Sequence, residues 1–234
     1  EYYFKRDSLY GHYDDGERFG FFSRAIISLL PALQFTPQVI HCNDWQTALV
    51  PIYLKDECVR WSDIRGIKTV FTVHNIEYQG RYGKETLEDL FGLAPGWFAD
   101  GTIAMDGDVN LLKGALMTCD AITAVSPTYA QELRYAYFAH GMESVIRLNS
   151  GKVYGVLNGI DMERFNPATD KGLVSNYGLE LTKTGKPSTK DTVSAGKAKN
   201  KEALQKEMGL DAAADVPVIG IISRLVSHKG LDLV

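Results

Sequence analysis

Short runs of β-branched and aliphatic residues alternate along the chain with stretches where apolar residues recur every three or four positions. The runs Gln38–Cys42, Lys68–Val73, Ala121–Val125, Lys152–Leu157 and Val218–Ile222 show little polar alternation, the pattern of strands buried on both faces. Phe19, Phe22, Ile26, Leu29, Leu30 and Leu33 predict an amphipathic helix over Glu17–Leu33, with Pro31 at its frayed end. Trp45, Ala48, Leu49 and Ile52 form a second helical stripe, and Val109, Leu112, Leu116 and Cys119 a third. Ser126-Pro127 pairs an N-cap with a first-turn proline and opens a helix to about Ala139. A further helix spans Asn200–Met208 and stops at Gly209.

Strand–helix–strand repetition predicts an α/β fold with a Rossmann-like, doubly wound parallel sheet. Between the last two strands lies a block, 171–200, rich in Lys, Gly, Ser and Thr. It reads as a polar surface insertion rather than a basic nucleic-acid arm. The first domain is expected over 1–215, incomplete at its start, and a second domain is expected to begin over 216–234. The chain opens on Glu1 and ends on the apolar Leu231-Asp232-Leu233-Val234, which suggests a segment of a longer protein.

Composition then removes several classes. Apolar residues make up 45% and charged residues 23% of the 234 residues, ordinary globular values. No apolar run reaches the roughly 18 residues of a membrane span. The net charge of −4 argues against a nucleic-acid surface. That charge is uneven, with net −7 over 1–170, +4 over 171–200 and −1 over 201–234. Cys42, Cys58 and Cys119 match neither a disulfide framework nor a zinc site and point to a reducing compartment.

In open α/β sheets ligands bind beyond the carboxyl ends of the strands. The residues there are Asn43-Asp44, His74-Asn75, Ser126, Asn158-Gly159 and Ser223-Arg224, all hydrogen-bonding groups, which suits a ligand rich in hydroxyls or phosphates. No Gly-x-Gly-x-x-Gly, P-loop or Gly-x-Ser-x-Gly occurs; Gly185-Lys186 lacks the upstream glycine. Asp106-Gly107-Asp108 could bind a metal, but a helix cap near Val109 is the better reading. Of Asp14-Asp15, one is expected to cap the following helix and the other is free to face a cleft. Arg224 and Lys229, close after an apolar run, suit a diphosphate.

Seven segments together resemble the bacterial glycogen synthase and plant starch synthase family. They are Arg18-Phe19 with its preceding aspartates, Ile40-His41-Cys42-Asn43-Asp44-Trp45, Thr69–Ile76 with Tyr78-Gln79-Gly80, Asn110-Leu111-Leu112-Lys113, Ala121–Ala130, Gly155–Asp161, and Ser223-Arg224-Leu225 with Lys229-Gly230-Leu231-Asp232. They follow the family's order and cover nearly the whole chain outside 171–200. The resemblance implies a GT-B glycosyltransferase fold. It also implies transfer of glucose from a nucleotide-sugar donor, usually ADP-glucose, to the 4-hydroxyl of an α-1,4-glucan with retention, without a metal or other cofactor. By position, Arg224 and Lys229 resemble the pair that neutralises the departing diphosphate, and Asp14 the aspartate near the donor glucose. His74, Asn75, Tyr78 and Gln79 fall in the loop lining the glucan side. Asn43 and Asn110 fall in matching segments as further substrate-binding candidates, and Asn158-Gly159 lies where the chain begins to cross between domains. The implied partners are the donor and the glucan, with neither nucleic acid nor membrane, in bacterial cytoplasm or plastid stroma.

Three departures qualify the resemblance. The family's N-terminal Lys-x-Gly-Gly-Leu loop is absent. The second domain is represented only by its opening. Asn43 and His228 stand where many members carry His and Gln. This segment alone is therefore expected to be nearly inactive. The competing readings are an α-glucan-binding module without turnover and a GT-B synthase of the sucrose or trehalose type.

Overall fold

The computed structural model describes residue 3 and residues 5–57, 64–178, 189–226 and 229–234. Cys58, the 179–188 part of the polar block with Gly185-Lys186, and His228 lie outside the described residues. The chain divides into two compact units, 1–158 and 159–234.

The first unit runs α1 (Asp15–Ala32), β1 (Val39–Asn43), α2 (Leu49–Glu57), β2 (Lys68–Val73), β3 (Arg81–Tyr82), α3 (Thr86–Asp89), α4 (Gly96–Ala99), β4 (Ala104–Met105), β5 (Asp108–Asn110), α5 (Leu111–Thr118), β6 (Ala121–Ala124), α6 (Pro127–Glu132), α7 (Ala136–Ala139), α8 (Glu143–Leu148) and β7 (Val153–Gly155). Strands β1, β2, β6 and β7 form one sheet in that order, every pair parallel. β3, β5 and β4 form a small antiparallel sheet within the crossover from β2 to β6. The β-branched Thr69, Val70, Thr72 and Val73 suit β2, because branched side chains lose little further freedom on a pleated surface.

Helix α1 packs on α2, α2 on α5 and α5 on α8. Their stripes (Ile27 and Leu30, Leu49 and Ile52, Leu112 and Leu116, Ile146) share one core with Phe71, Val73, Ile122 and Ala124 of the sheet. Phe71 has no exposed surface, and burying a side chain of that size contributes up to about 3 kcal/mol. The opposite sheet face differs from the expectation of burial on both sides. His41 and Tyr154 are exposed there, and Thr72 hydrogen-bonds both His41 Nε2 (2.7 Å) and Thr123 (2.6 Å). The second face is built from Val, Thr and Tyr, which are themselves strand formers, so the two-residue alternation is masked in sequence.

The helix expected from Pro127 to Ala139 is broken at Tyr135, whose backbone is extended. Ala130 and Leu133 face the core, and a continuous helix would carry Tyr137 inward after them. The break leaves Tyr137 87% exposed and buries Ala139 instead. Asn110, with its side chain accepting from Lys113 N, caps α5 in place of either Asp106 or Asp108. Those two carboxylates flank the Arg81 guanidinium, at 3.2 and 3.5 Å.

In the second unit, residues 190–200 are helical rather than loop. Helix α9 (Lys190–Glu207) begins with a reciprocal cap between Thr189 and Thr192. It ends with Leu210 N donating to Gln205 O and Gly209 N to Lys206 O. Its anchors are polar, Asn200 bonding both the N–H and the carbonyl of Ser175. An apolar stripe, the usual signal of a helix, is therefore missing. The strand expected at Val218–Ile222 does not form, and Ile219 and Ile222 are almost wholly exposed. A strand exists only beside another, and among the described residues none pairs with this segment.

Gly155 sits where β7 meets the start of α6. A Cβ there would lie 2.3 Å from Pro127 Cα and 2.5 Å from the Ser126 carbonyl oxygen, both backbone atoms that cannot yield. Gly155→Ala is expected to lower stability by about 3 kcal/mol in urea unfolding. Gly96→Ala, where a Cβ meets nothing within 4 Å, should cost none.

Candidate active site

The carboxyl ends of β1 and β2 supply the first polar cluster. Asp44 N donates to Thr72 O at 3.0 Å, extending the ladder beyond Asn43. Its Oδ1 then accepts from His74 N at 2.8 Å, tying the two strand ends together. Asp44 adopts φ +56°, a backbone state that costs a non-glycine residue about 1–3 kcal/mol and is concentrated at functional sites. Asn43 Oδ1 lies 3.0 Å from His74 Nε2. An amide oxygen only accepts, so Nε2 carries the proton and Nδ1 remains for a ligand. Thr47 fixes Asn43 from below, its Oγ1 accepting from Asn43 N at 2.7 Å.

Beyond His74 the chain forms a loop held on several sides. Asn75 Oδ1 accepts from Glu77 N at 3.0 Å, and Ile76 N donates to the Tyr129 hydroxyl at 3.1 Å. Burial pushes the Tyr129 phenol up, which keeps that hydroxyl protonated. Tyr78 stands 46% exposed at the loop's crest. Gly80 closes the loop at φ +62°, where a Cβ would lie 2.6 Å from the Trp45 ring, so only glycine fits. Gln79 and Asn110 are buried and bonded to each other at 2.7 Å. Both side chains lie inside the protein.

Asp14 occupies the N-cap position of α1 without capping it. Both of its oxygens are taken by the Arg6 fork, at 2.7 and 2.6 Å. Asp15 does not cap the helix either; its Oδ2 accepts from Gly11 N and His12 N, which precede it. Asp14 is buried yet lines a cavity of about 380 Å³ with Lys5, Arg6, Asp7, His12 and Tyr13, so a ligand there would meet a carboxylate already paired with a cation.

Asn158 and Gly159 are exposed and fall on either side of the division between the two units. Arg224 and Lys229 are exposed in the second unit; Lys229 N donates to Val226 O at 3.0 Å. Sequence reasoning selected Asn43 and His74, which the fold brings together. It missed Asp44, Tyr129 and Arg6, which hold selected residues in place. Asp44 stood in the strand-end pair already noted, while a hydroxyl in a helix and an arginine eight residues upstream give no local signal.

The hydrogen bonds from Arg6 hold the Asp14 carboxyl at about 2, against an ordinary 3.8. A depressed carboxyl stabilises the fold above pH 4, and that contribution is lost as pH falls through 2. In Arg6→Met, the Asp14 carboxyl should titrate near its ordinary value by ¹³C NMR. Titration still near 2 would show that other groups depress it.

Residues 1–148 match the family model described as "Starch synthase catalytic domain". The chain is 45% identical over its full length to a glycogen synthase of Ligilactobacillus salivarius, of which it covers 46%. It is 45% identical to a glycogen synthase of Anoxybacillus flavithermus, again along the whole chain and 46% of the relative. The chain thus spans about half the length of the curated relatives it matches. Among solved structures, the catalytic domain of starch synthase IV from Arabidopsis thaliana, bound to ADP and acarbose, superposes with a TM-score of 0.82 at 37% identity. That match covers 99% of this chain and 45% of the other. The parallel four-stranded sheet with its helices is thereby the Rossmann-like layer of a GT-B glycosyltransferase fold. The chain belongs to the family of starch synthase catalytic domains, which includes the bacterial glycogen synthases.

Proposed function

We propose that this protein transfers glucose from ADP-glucose to the 4-hydroxyl end of an α-1,4-glucan, with retention at the anomeric carbon. The observation that carries this reading is the 45% identity to glycogen synthases along the whole chain. The ADP and acarbose of the starch synthase neighbour, a nucleoside diphosphate and a saccharide, fit the same donor and acceptor classes.

In this reaction the bond from the anomeric carbon to the diphosphate oxygen breaks and a bond to the acceptor O4 forms. The acceptor's hydroxyl proton leaves with the diphosphate. The leaving group gains negative charge as it departs, so fixed cations stabilise the transition state more than the bound donor. Arg224, with a planar fork, and Lys229, with a point charge, take that role. His74 offers Nδ1, and Asn43 its amide nitrogen, to sugar hydroxyls. Asp14 lies toward the donor glucose, Asn75 and Tyr78 toward the glucan, and Asn158-Gly159 at the passage to the second domain. We assign no metal to the reaction, and place the protein in bacterial cytoplasm or plastid stroma.

A glucan-binding module without turnover would bind glycogen and transfer nothing. A sucrose- or trehalose-type synthase would transfer to a small sugar in preference to glucan. A panel of ADP-glucose and UDP-glucose against glycogen, fructose and glucose phosphate, run on the full-length enzyme, separates these. Transfer to glycogen is expected to dominate, and a preference for a small acceptor would overturn the reading. His74→Ala is expected to lower kcat/KM about a hundredfold, as for a substrate hydroxyl that loses the acceptor positioning it. The 234-residue chain by itself should transfer glucose far more slowly than the full-length enzyme.

A further inference from the structure

Gln79 falls in the loop that resembles the family's glucan side and Asn110 in a further matching segment, yet both side chains are buried. Asn110 is fully buried and Gln79 is 7% exposed. Asn110 Nδ2 donates to Gln79 Oε1 at 2.7 Å. Gln79 Nε2 donates to the carbonyls of Ile76 at 3.2 Å and His140 at 3.0 Å. Asn110 Oδ1 accepts from Lys113 N at 2.9 Å as the cap of α5, and its Nδ2 also approaches Met105 Sδ at 3.1 Å. The backbone completes the joint, with Leu112 N donating to Gln79 O and Leu111 N to Gly80 O. The amide protons of Gln79 and the oxygens of both residues are engaged within the protein.

We infer that the Gln79–Asn110 amide pair is a positioning device for the loop that carries His74, Asn75 and Tyr78, and touches no substrate itself. It joins three segments distant in sequence: the loop after β2, the first turn of α5 and the turn at His140. Asn110 is useful at this joint because its two ends differ. The oxygen caps the helix while the nitrogen holds the loop, so helix and loop share one anchor. A buried amide also resists drift, since breaking any one bond leaves a polar group without solvent. The inference rests on the glucan synthase reading, because the positioned residues face the glucan in that reading. A misplacement on the order of 1 Å in such a loop costs up to about a hundredfold in rate.

Two variants separate positioning from plain stability. Gln79→Met keeps length and loses both donors. Asn110→Asp keeps the acceptor that caps α5 and loses the donor to Gln79. In the full-length enzyme, each is expected to raise KM for α-1,4-glucan about tenfold and leave KM for ADP-glucose within about twofold. In the 234-residue chain, amide exchange at Ile76, Leu111 and Leu112 should quicken about tenfold, with α1 unchanged. Equal shifts in both KM values, or no shift in either at unchanged Tm, would overturn the inference. If Gln79→Met does not fold, Asn110→Asp carries the test. If neither folds, the pair is an ordinary core contact and the positioning role is rejected. A wild-type enzyme that transfers no glucose to glucan sinks the synthase reading, and the exchange measurement still decides whether the pair holds the loop.

Discussion

Parallel strands β1 and β2 reach the end of their ladder together, and Asp44 extends it twice. Its amide bonds Thr72, and its carboxylate then takes the amide of His74, where the partner strand has already turned away. The cost is a left-handed backbone at a residue with a side chain. The result is that Asn43 and His74, each the last or next residue of its own strand, face each other at 3.0 Å. Without that clamp two neighbouring strand ends would diverge with the sheet's twist. The exposed cluster depends on this one carboxylate more than on any residue within it.

The sheet was legible because burial leaves its mark on composition. Lys68–Val73 was bounded correctly, and β6 to within one residue, since both are short β-branched runs with few alternatives. Legibility failed where a segment's structure depends on polar partners. The second half of helix α9 is legible as Asn200–Met208 ending at Gly209, whereas its first half, 190–199, rests on Thr189, Thr192 and Asn200, none of which contributes to an apolar stripe. Val218–Ile222 has the composition of a strand, but composition cannot supply a neighbouring ladder. The aspartates at 106 and 108 looked like caps because a carboxylate before a helix usually is one. Arg81, distant in sequence, claims them instead.

The site residues divide in the same way. Asn43 and His74 follow from position alone, because any residue after a parallel strand stands at the ligand-binding edge. The supports of their neighbours do not follow, because each acts from another element: Tyr129 of α6 on Ile76, Arg6 from before α1 on Asp14, and Asn110 from the cap of α5 on Gln79. Position in sequence identifies what faces the ligand, and only the fold identifies what holds it there. Gln79 shows the limit most sharply. It sits beside the exposed Tyr78 in sequence and points to the opposite side, since one step along a loop is enough to exchange solvent for core.

The threonines on the open sheet face carry a further implication. Thr72 stands between His41 and Thr123 at 2.7 and 2.6 Å, but its hydroxyl has a single proton to give. If His41 Nε2 bears a proton, Thr72 accepts from it and passes its own to Thr123. If that nitrogen is bare, Thr72 donates to His41 and Thr123 must supply the second bond. The row of hydrogen-bonding groups across β1, β2 and β6 therefore has a sense of direction, and the tautomer of one edge-strand histidine reverses it.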